Sequence, residues 1–398
     1  MRTPDLSTRI AVTGAGILCS IGRNKDEVWQ SIVDSRAGIG KLTRFPGETF
    51  PTDIAAEVSE EWSGGREDRR LSRTDQLAVA AAREAVAQAG DFPRDRAVVS
   101  TGTSTGGLLE GEDYYFRRLA QGRRRAPASR VLQQPTSGPS DAVARAFDLG
   151  GGVVSNATAC ASAGAAIGMA MDYLRSHHAD VAIAGGSDAL CRLTYSGFNV
   201  LQAVDPEPCS PFGATRKGIT LGEGAGYLVL ERWEDAVARG ATILAELAGY
   251  GASCDAHHPT APVEDGRGAE AAMRGALAEG GVAEGAVDYV NAHGTGTTLN
   301  DAAETRAVIA ALGNDVPVSS SKSYFGHTLG ASGAVEAVVT VLALQHQIAP
   351  PTLRLQEAAP ECTLDYIPHE PRPMRLTNVL SNTFGFGGSN VSLLLKRV

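Results

Sequence analysis

The sequence predicts an α/β fold of two similar halves that divide near Gly240. Three observations carry this. Apolar strand-like runs alternate with helical patterns, which implies a largely parallel sheet covered on both faces. Small residues are abundant, 46 of 398 being glycine, and they let helices sit close on a sheet. The order of elements in the first part recurs in the second, with no low-complexity linker between. A chain of 398 residues holds one large domain or two packed ones. The halves are expected at 1–239 and 240–398.

The elements follow in order. Arg9–Gly22, "RIAVTGAGILCSIG", is an apolar run followed by a glycine-rich turn. Gly14 and Gly16 begin a dinucleotide-type GxGxxG, but Cys19 stands where the third glycine belongs, and no suitably placed acidic residue follows. These glycines are therefore expected to serve a tight strand-to-helix turn. Asp75–Gly90 is an Ala-rich helix ending in glycine, and Arg96–Gly107 is a buried strand entering a small-residue loop. Gly151–Ala189 reads as strand, turn, long helix, strand. Its helix is apolar nearly all round at its start, so it is expected to be central. Gly222–Gly240 is a strand and a helix. Val287–Leu312 and Val316–Gln347 repeat the strand–loop–helix plan. Val379–Val398 is a pair of strands joined by a glycine-rich turn.

Composition narrows the function. The formal net charge of −9 disfavours non-specific nucleic-acid binding. Cysteines at 19, 160, 191, 209, 254 and 362 show neither CxxC nor Cys/His ligand spacing, so no structural zinc site is expected. Scattered cysteines read as reduced thiols. The N-terminus lacks the long apolar core of a signal peptide, and Asp172 interrupts the apolar stretch after Cys160 too soon for a bilayer span. A soluble cytoplasmic protein is expected.

Cys160 lies in "SNATACASAG", Ser155–Gly164, between a strand and a helix. A thiol at a helix N-terminus sees the positive dipole end, and backbone N–H groups there can hold an oxyanion. The same residue would also pack well as a small hydrophobe, and the local sequence leaves the two readings balanced. His293 in "VNAHGTGTTLND" and His327 in "SSSKSYFGHTLGASG" each follow an apolar strand and enter a loop rich in Gly, Ser and Thr. Ligands bind at such strand ends in open α/β sheets. His177–His178 and His257–His258 sit in polar surroundings, and the first pair reads as solvated helix-end residues. The glycines of "NTFGFGGSN", Asn382–Asn390, allow close backbone approach to a ligand or a simple hairpin turn.

These segments together resemble the elongating, Cys-His-His type of β-ketoacyl-acyl-carrier-protein synthase of the thiolase superfamily. Cys160 in "TACAS", His293 in "NAHGTGT", Lys322 and His327 in "SKSYFGH", Glu336 in "GASGAVE" and the "GFGGSN" loop match in order and spacing over nearly the whole chain. The resemblance implies a five-layered αβαβα fold of two pseudo-repeated halves, usually dimeric. It implies that Cys160 takes an acyl chain from a carrier-protein thioester, and that malonyl carrier protein then loses carbon dioxide and condenses with it. By the same resemblance, the N–H groups of Cys160 and Phe386 form an oxyanion hole, and His293 and His327 stabilise the enolate. Lys322 and Glu336 form a supporting charge pair, Thr295 and Thr297 bind the phosphopantetheine arm, and Phe384 and Thr105 act as gates. No metal or redox cofactor is implied, since the carrier protein delivers the phosphopantetheine.

An acidic acyl carrier protein would dock on basic residues. Arg66, Arg69 and Arg70 match a docking segment of the family, and Arg117, Arg118 and Arg123–Arg125 form a second basic run; either is equally an ordinary solvated face. Relatives often carry Arg-Pro-Phe/Trp-Asp where this chain has Ser210-Pro211-Phe212-Gly213, so one basic contact is missing. Thr105 replaces a bulkier aliphatic gate. With Gln133-Gln134 and Thr194–Asn199, it leans towards a type II polyketide, polyene or specialised lipid pathway rather than housekeeping fatty-acid elongation. The "GFGGSN" loop lacks the second cysteine of a thiolase. A non-catalytic chain-length factor would lack the nucleophile, so the chain is expected to be catalytic, as a homodimer or as the active half of a heterodimer with a chain-length-factor-like subunit. A cysteine hydrolase is separable only by its products.

Overall fold

Ten strands form one continuous mixed sheet in the computed structural model of the chain, which describes residues 5–45, 50–59, 70–121 and 127–398. In chain order they are β1 (Ile10–Cys19), β2 (Ala97–Gly102), β3 (Val153–Asn156), β4 (Val181–Asp188), β5 (Gly224–Arg232), β6 (Ala245–Cys254), β7 (Tyr289–Asn291), β8 (Val318–Ser319), β9 (Asn378–Gly385) and β10 (Ser389–Lys396). Across the sheet they run β3-β2-β4-β5-β1, then β6-β10-β9-β7-β8. Read outward from the centre, both fives have the same order: first, fifth, fourth, second, third. The fives join where Ile10–Val12 of β1 pairs antiparallel with Ala245–Leu247 of β6.

The sheet is not largely parallel. Of its nine neighbouring pairings, β2–β3, β2–β4, β7–β8 and β7–β9 are parallel and the other five antiparallel. One reversed strand in each half causes this. β10 returns on β9 through a tight turn at Gly387 and Gly388, whose φ angles of 85° and 81° suit glycine. β5 is its counterpart, reached through the long connection 189–223. Alternation of strand and helix does not encode such a return.

Helices complete the layers. α1 (Arg73–Ala89) starts at a Ser72–Asp75 capping box, ends at Gly90 and packs on β1, β4 and β5. α2 (Ser162–Arg175) lies centrally, as its apolar sequence suggests. α3 (Arg192–Val200) follows β4, and α4 (Arg267–Glu279) covers β6 and β10. α5 (Thr298–Leu312) packs on α4. α6 (Ser332–His346) lies beside α2, and these two helices touch strands of both halves. The result is five layers, αβαβα. The helical stretch Leu329–His346 is long and apolar enough to cross a membrane by length and composition, but 89% of it is buried inside the protein, as in a core helix.

Gly14 and Gly16 do not form a turn. They lie inside β1, where any Cβ would overlap the carbonyl oxygens of Ala85 and Ala81 on α1. Their role is close approach of helix to strand, which a methyl group would push apart.

The duplication extends to the turns that enter α2 and α6. Thr158-Ala-Cys-Ala-Ser162 precedes α2, and Thr328-Leu-Gly-Ala-Ser332 precedes α6. Each passes through one turn of 3₁₀ helix, and each holds a non-glycine residue at positive φ: Ala159 at 48° and Leu329 at 54°. At the place of Cys160, the second copy carries Gly330.

Candidate active site

The elbow before α2 turns Cys160 inward, where the residue is 6% exposed. Ser162 locks the turn: its hydroxyl accepts the Thr158 N–H at 2.9 Å and donates to the Ala159 carbonyl at 2.5 Å. The turn after β9 closes over it. A Cβ on Gly385 would stand 2.9 Å from the Thr158 oxygen and 3.2 Å from the Cys160 nitrogen, so glycine is needed for this approach. The backbone N–H groups of Phe386 and Cys160 lie on the sulfur's side of this turn and favour its thiolate form.

The segment entering the second elbow brings His327 to the same point. His327 Nε2 stands 3.0 Å from Cys160 Sγ, and its Nδ1 stands 2.8 Å from Ser332 Oγ. A hydroxyl can donate or accept, so Ser332 supports either tautomer of His327. His293 lies edge-on to His327, with ring centroids 5.3 Å apart. Its backbone N–H and that of Gly294 donate to Glu304 of α5 at 2.8 and 2.7 Å, which fixes the loop. His293 Nδ1 is buried with no protein partner. Ser332 and Glu304 had no signal of their own in the sequence, since a serine and a glutamate early in a helix look like ordinary helix residues.

Lys322 and Glu336 form a fully buried ion pair. Removing either partner would leave an uncompensated buried charge. Burial pushes Glu336 up to about 7, with the Lys322 ammonium pulling the other way, and burial pushes Glu304 to about 7 as well. Burial also pushes the Cys160 thiol up to about 11, against the opposing pull of Lys322 and the Phe386 N–H. Burial, reinforced by the Lys322 charge, holds both histidines well below 6.5. Burial thus favours the neutral form of the thiol and of both imidazoles.

This has a sign that can be measured. Below pH 6.5 the unfolded chain protonates these histidines while the folded protein does not, so their contribution to stability is lost as pH falls. Each costs up to about 1.4 kcal/mol per pH unit in acid. Glu304 and Glu336 act oppositely between about pH 4.5 and 7, because the folded protein holds their protons more tightly. The histidine share is thus read by difference. The stability of the wild type minus that of His293→Asn, from urea unfolding, is expected to fall between pH 6.5 and 5 and to be flat above 7.

Cys160, His293 and His327 end a cavity of about 310 Å³. Thr295, Thr297, Phe384 and Phe386 line it. Thr295 Oγ1 and Thr297 Oγ1 are 2.9 Å apart, and Thr297 also caps α5. Phe384 is buried against His293, at 5.7 Å between centroids. Phe386 stacks at 5.5 Å on Phe198 of α3, which lies in the Thr194–Asn199 stretch noted in the sequence. Thr105 is not among the lining residues. Its N–H and hydroxyl both donate to the buried Asp188, at 2.9 and 2.7 Å, and Thr103, Ser104 and Gly330 bond the same carboxylate. Arg66, Arg69 and Arg123–Arg125 lie outside the described residues. Arg70, Arg117 and Arg118 are exposed. His177, His178, His257 and His258 are exposed and far in sequence from these turns. Among the described residues no cluster of three or more His, Cys, Asp or Glu side chains is arranged to hold a metal.

Comparison with known proteins gives a consistent picture. The family described as "Beta-ketoacyl synthase, N-terminal domain" matches residues 7–236, and "Beta-ketoacyl synthase, C-terminal domain" matches residues 244–356. The chain is 39% identical over 407 residues to 3-oxoacyl-(acyl-carrier-protein) synthase 2 of Synechocystis sp., covering 98% of each protein. It is 38% identical over 404 residues to Nodulation protein E of Rhizobium meliloti, covering 99% of this chain and 100% of that one. A solved structure described as the ishigamide ketosynthase/chain length factor superposes with a TM-score of 0.94 at 35% identity, over 98% of this chain and 99% of that chain.

Proposed function

Since the chain belongs to the β-ketoacyl synthase family, we propose that its acyltransferase chemistry runs through Cys160, His293 and His327. The carrying observation is the 3.0 Å approach of His327 Nε2 to the Cys160 sulfur at the floor of a cavity that His293 also lines. Residues 1–239 contribute the nucleophile, and residues 240–398 contribute both imidazoles.

In the first stage an acyl thioester of the carrier protein's phosphopantetheine arm enters along Thr295 and Thr297. The thiol proton passes to His327 Nε2 as Sγ attacks the carbonyl, because a thiol held near 11 supplies little thiolate by itself. The N–H groups of Cys160 and Phe386 receive the oxyanion. The carbonyl re-forms, the C–S bond to the arm breaks, and His327 returns the proton to the departing arm thiolate. In the second stage malonyl carrier protein enters. Its C–C bond to the carboxylate breaks, carbon dioxide leaves, and the electron pair becomes an enolate that accepts N–H bonds from His293 and His327. Ser332 allows His327 to present N–H here after acting as acceptor earlier. The enolate carbon attacks the acyl-Cys160 carbonyl, Cys160 leaves as thiolate, and a proton from solvent restores the thiol. The product is a β-ketoacyl carrier protein two carbons longer.

Each step is carried by protein groups, with the arm arriving on its carrier. Lys322 and Glu336 hold the histidine loops and set the local charge. Phe384 and Phe386 close the cavity over the bound thioester. Arg66, Arg69 and Arg70 would face the carrier protein. The enzyme works as a dimer in the cytoplasm, where reduced thiols persist. Similarity to a ketosynthase of a chain-length-factor assembly favours the active half of such a heterodimer in a specialised polyketide, polyene or lipid pathway. Similarity to a synthase 2 keeps fatty-acid elongation in a homodimer as the alternative.

The test is product mass. Acyl carrier protein plus malonyl carrier protein is expected to give a β-ketoacyl carrier protein and carbon dioxide in equal amounts. Free acid without chain extension would instead mark a hydrolase.

A further inference from the structure

We propose that Lys217 binds the phosphodiester of the incoming phosphopantetheine arm and so makes the enzyme discriminate phosphorylated from unphosphorylated acyl donors. This rests on the ketosynthase reading above and deepens it by assigning a substrate group to a residue that the reading leaves unused.

The cavity has a clear polarity from floor to rim. Cys160, His293 and His327 are buried at its floor, and Thr295 beside them is buried as well. Thr297 is half-buried, while Thr298, Leu299 and Lys217 are exposed at the other end of the same cavity. A phosphopantetheine thioester that places its sulfur at Cys160 must place its opposite end at this rim. That opposite end carries the phosphate, the one charged group of the arm.

Among the described residues, Lys217 is the one lysine or arginine that lines the cavity. The lysine ion pairs among the described residues are Lys25–Glu84 and Lys322–Glu336, so its ammonium is in neither. The acidic groups near it are already engaged. Asp255, on the cavity wall, accepts from Asn390 Nδ2 at 2.7 Å and from the Val263 N–H at 3.1 Å. Asp205 accepts the backbone N–H groups of Lys217 and Glu207, each at 3.0 Å. An ammonium left unpaired on a cavity wall is a point-charge site for phosphate. The start of α5 lines the same rim, and its positive dipole end adds to the field there.

The experiment compares kcat/KM for Cys160 acylation by acyl-phosphopantetheine and by acyl-pantetheine, free of carrier protein, read by intact mass. The wild type is expected to prefer the phosphorylated donor about tenfold, equivalent to about 1.4 kcal/mol. Lys217→Met is expected to bring the ratio close to one, Lys217→Glu to bring it below one, and Lys217→Arg to keep most of the preference. A wild-type ratio in Lys217→Met overturns the proposal. So does a Lys217→Met that loses rate only with carrier-bound donor, since the lysine then contacts the carrier protein surface and not the phosphate. Absence of any Cys160 adduct in the wild type, from free or carrier-bound donor alike, overturns the ketosynthase reading itself and the proposal with it.

Discussion

Cys160→Ala is expected to abolish acyl-enzyme formation and to lower condensation at least about 10⁴-fold, the scale on which loss of a covalent nucleophile is felt. The reason is specific to this pocket. Five other cysteines are present, but Cys19, Cys191, Cys209 and Cys362 are buried in the core and Cys254 is exposed, none of them lining the cavity. No neighbouring thiol can take over. Intact-mass measurement after incubation with acyl carrier protein checks this, and an adduct on the variant at wild-type occupancy would sink the assignment. The substitution removes one sulfur and leaves the elbow intact, since Ala159 holds the positive φ and Ser162 the hydrogen bonds. Circular dichroism and the urea midpoint should therefore stay close to wild type. Malonyl decarboxylation needs no acyl-enzyme bond to form, so slow carbon dioxide release is expected to persist in Cys160→Ala. This separates the two stages.

The sequence made Cys160, His293 and His327 legible as candidates because they sit in small-residue motifs that also match a family in order and spacing. It also made the strands and helices legible, since apolar runs and helix caps are local. What it did not carry is whatever depends on contact between distant segments. Gly14 and Gly16 look like a turn until α1 is seen pressed on β1. The reversed strands β5 and β10 change a parallel sheet into a mixed one, and no residue pattern announces strand direction. The bond from the Thr105 hydroxyl to Asp188 of β4 joins residues 83 positions apart, and no local pattern announces it. Ser332 and Glu304 gain meaning only from the histidines they hold.

The duplicated elbow explains how the site divides its work. Both halves place a Thr-x-x-x-Ser turn at the head of a central helix, and both strain one non-glycine residue into positive φ. In the first copy the third residue is Cys160. In the second it is Gly330, whose N–H donates to Asp188 at 2.7 Å, while His327 just before the turn reaches across to the first copy's sulfur. Strain of this kind is held where surrounding contacts over-determine it, and here Ser162 and Ser332 do so. One repeat thus carries a cysteine at that position, and the other carries glycine there and brings His327 to the cysteine's sulfur.

The second large effect separates the histidines. His293→Ala is expected to slow carbon dioxide release from malonyl carrier protein about 10²- to 10³-fold while acylation of Cys160 falls much less. His327→Ala is expected to lose both stages. The difference follows from geometry. His327 Nε2 is 3.0 Å from the sulfur and serves the thiol proton as well as the enolate. His293 meets His327 edge-on and its Nδ1 has no hydrogen-bond partner among the described residues, so it is placed for the second stage and not for the thiol proton. Loss of one preorganised donor to an oxyanion costs about 3–4 kcal/mol in a buried site, which sets the expected factor. Neutrality matters as much as position. An imidazole kept unprotonated by burial and by Lys322 donates one N–H without repelling the neighbouring ammonium. Lys322→Met would remove that charge and leave Glu336 unpaired, so it should destabilise the fold and raise the histidine pKa values together. Stopped-flow carbon dioxide release and single-turnover acylation, measured on the same variant preparations, resolve the two stages. Equal slowing of both by His293→Ala would reject the division of roles, and unchanged carbon dioxide release in both histidine variants would reject the enolate-binding role altogether.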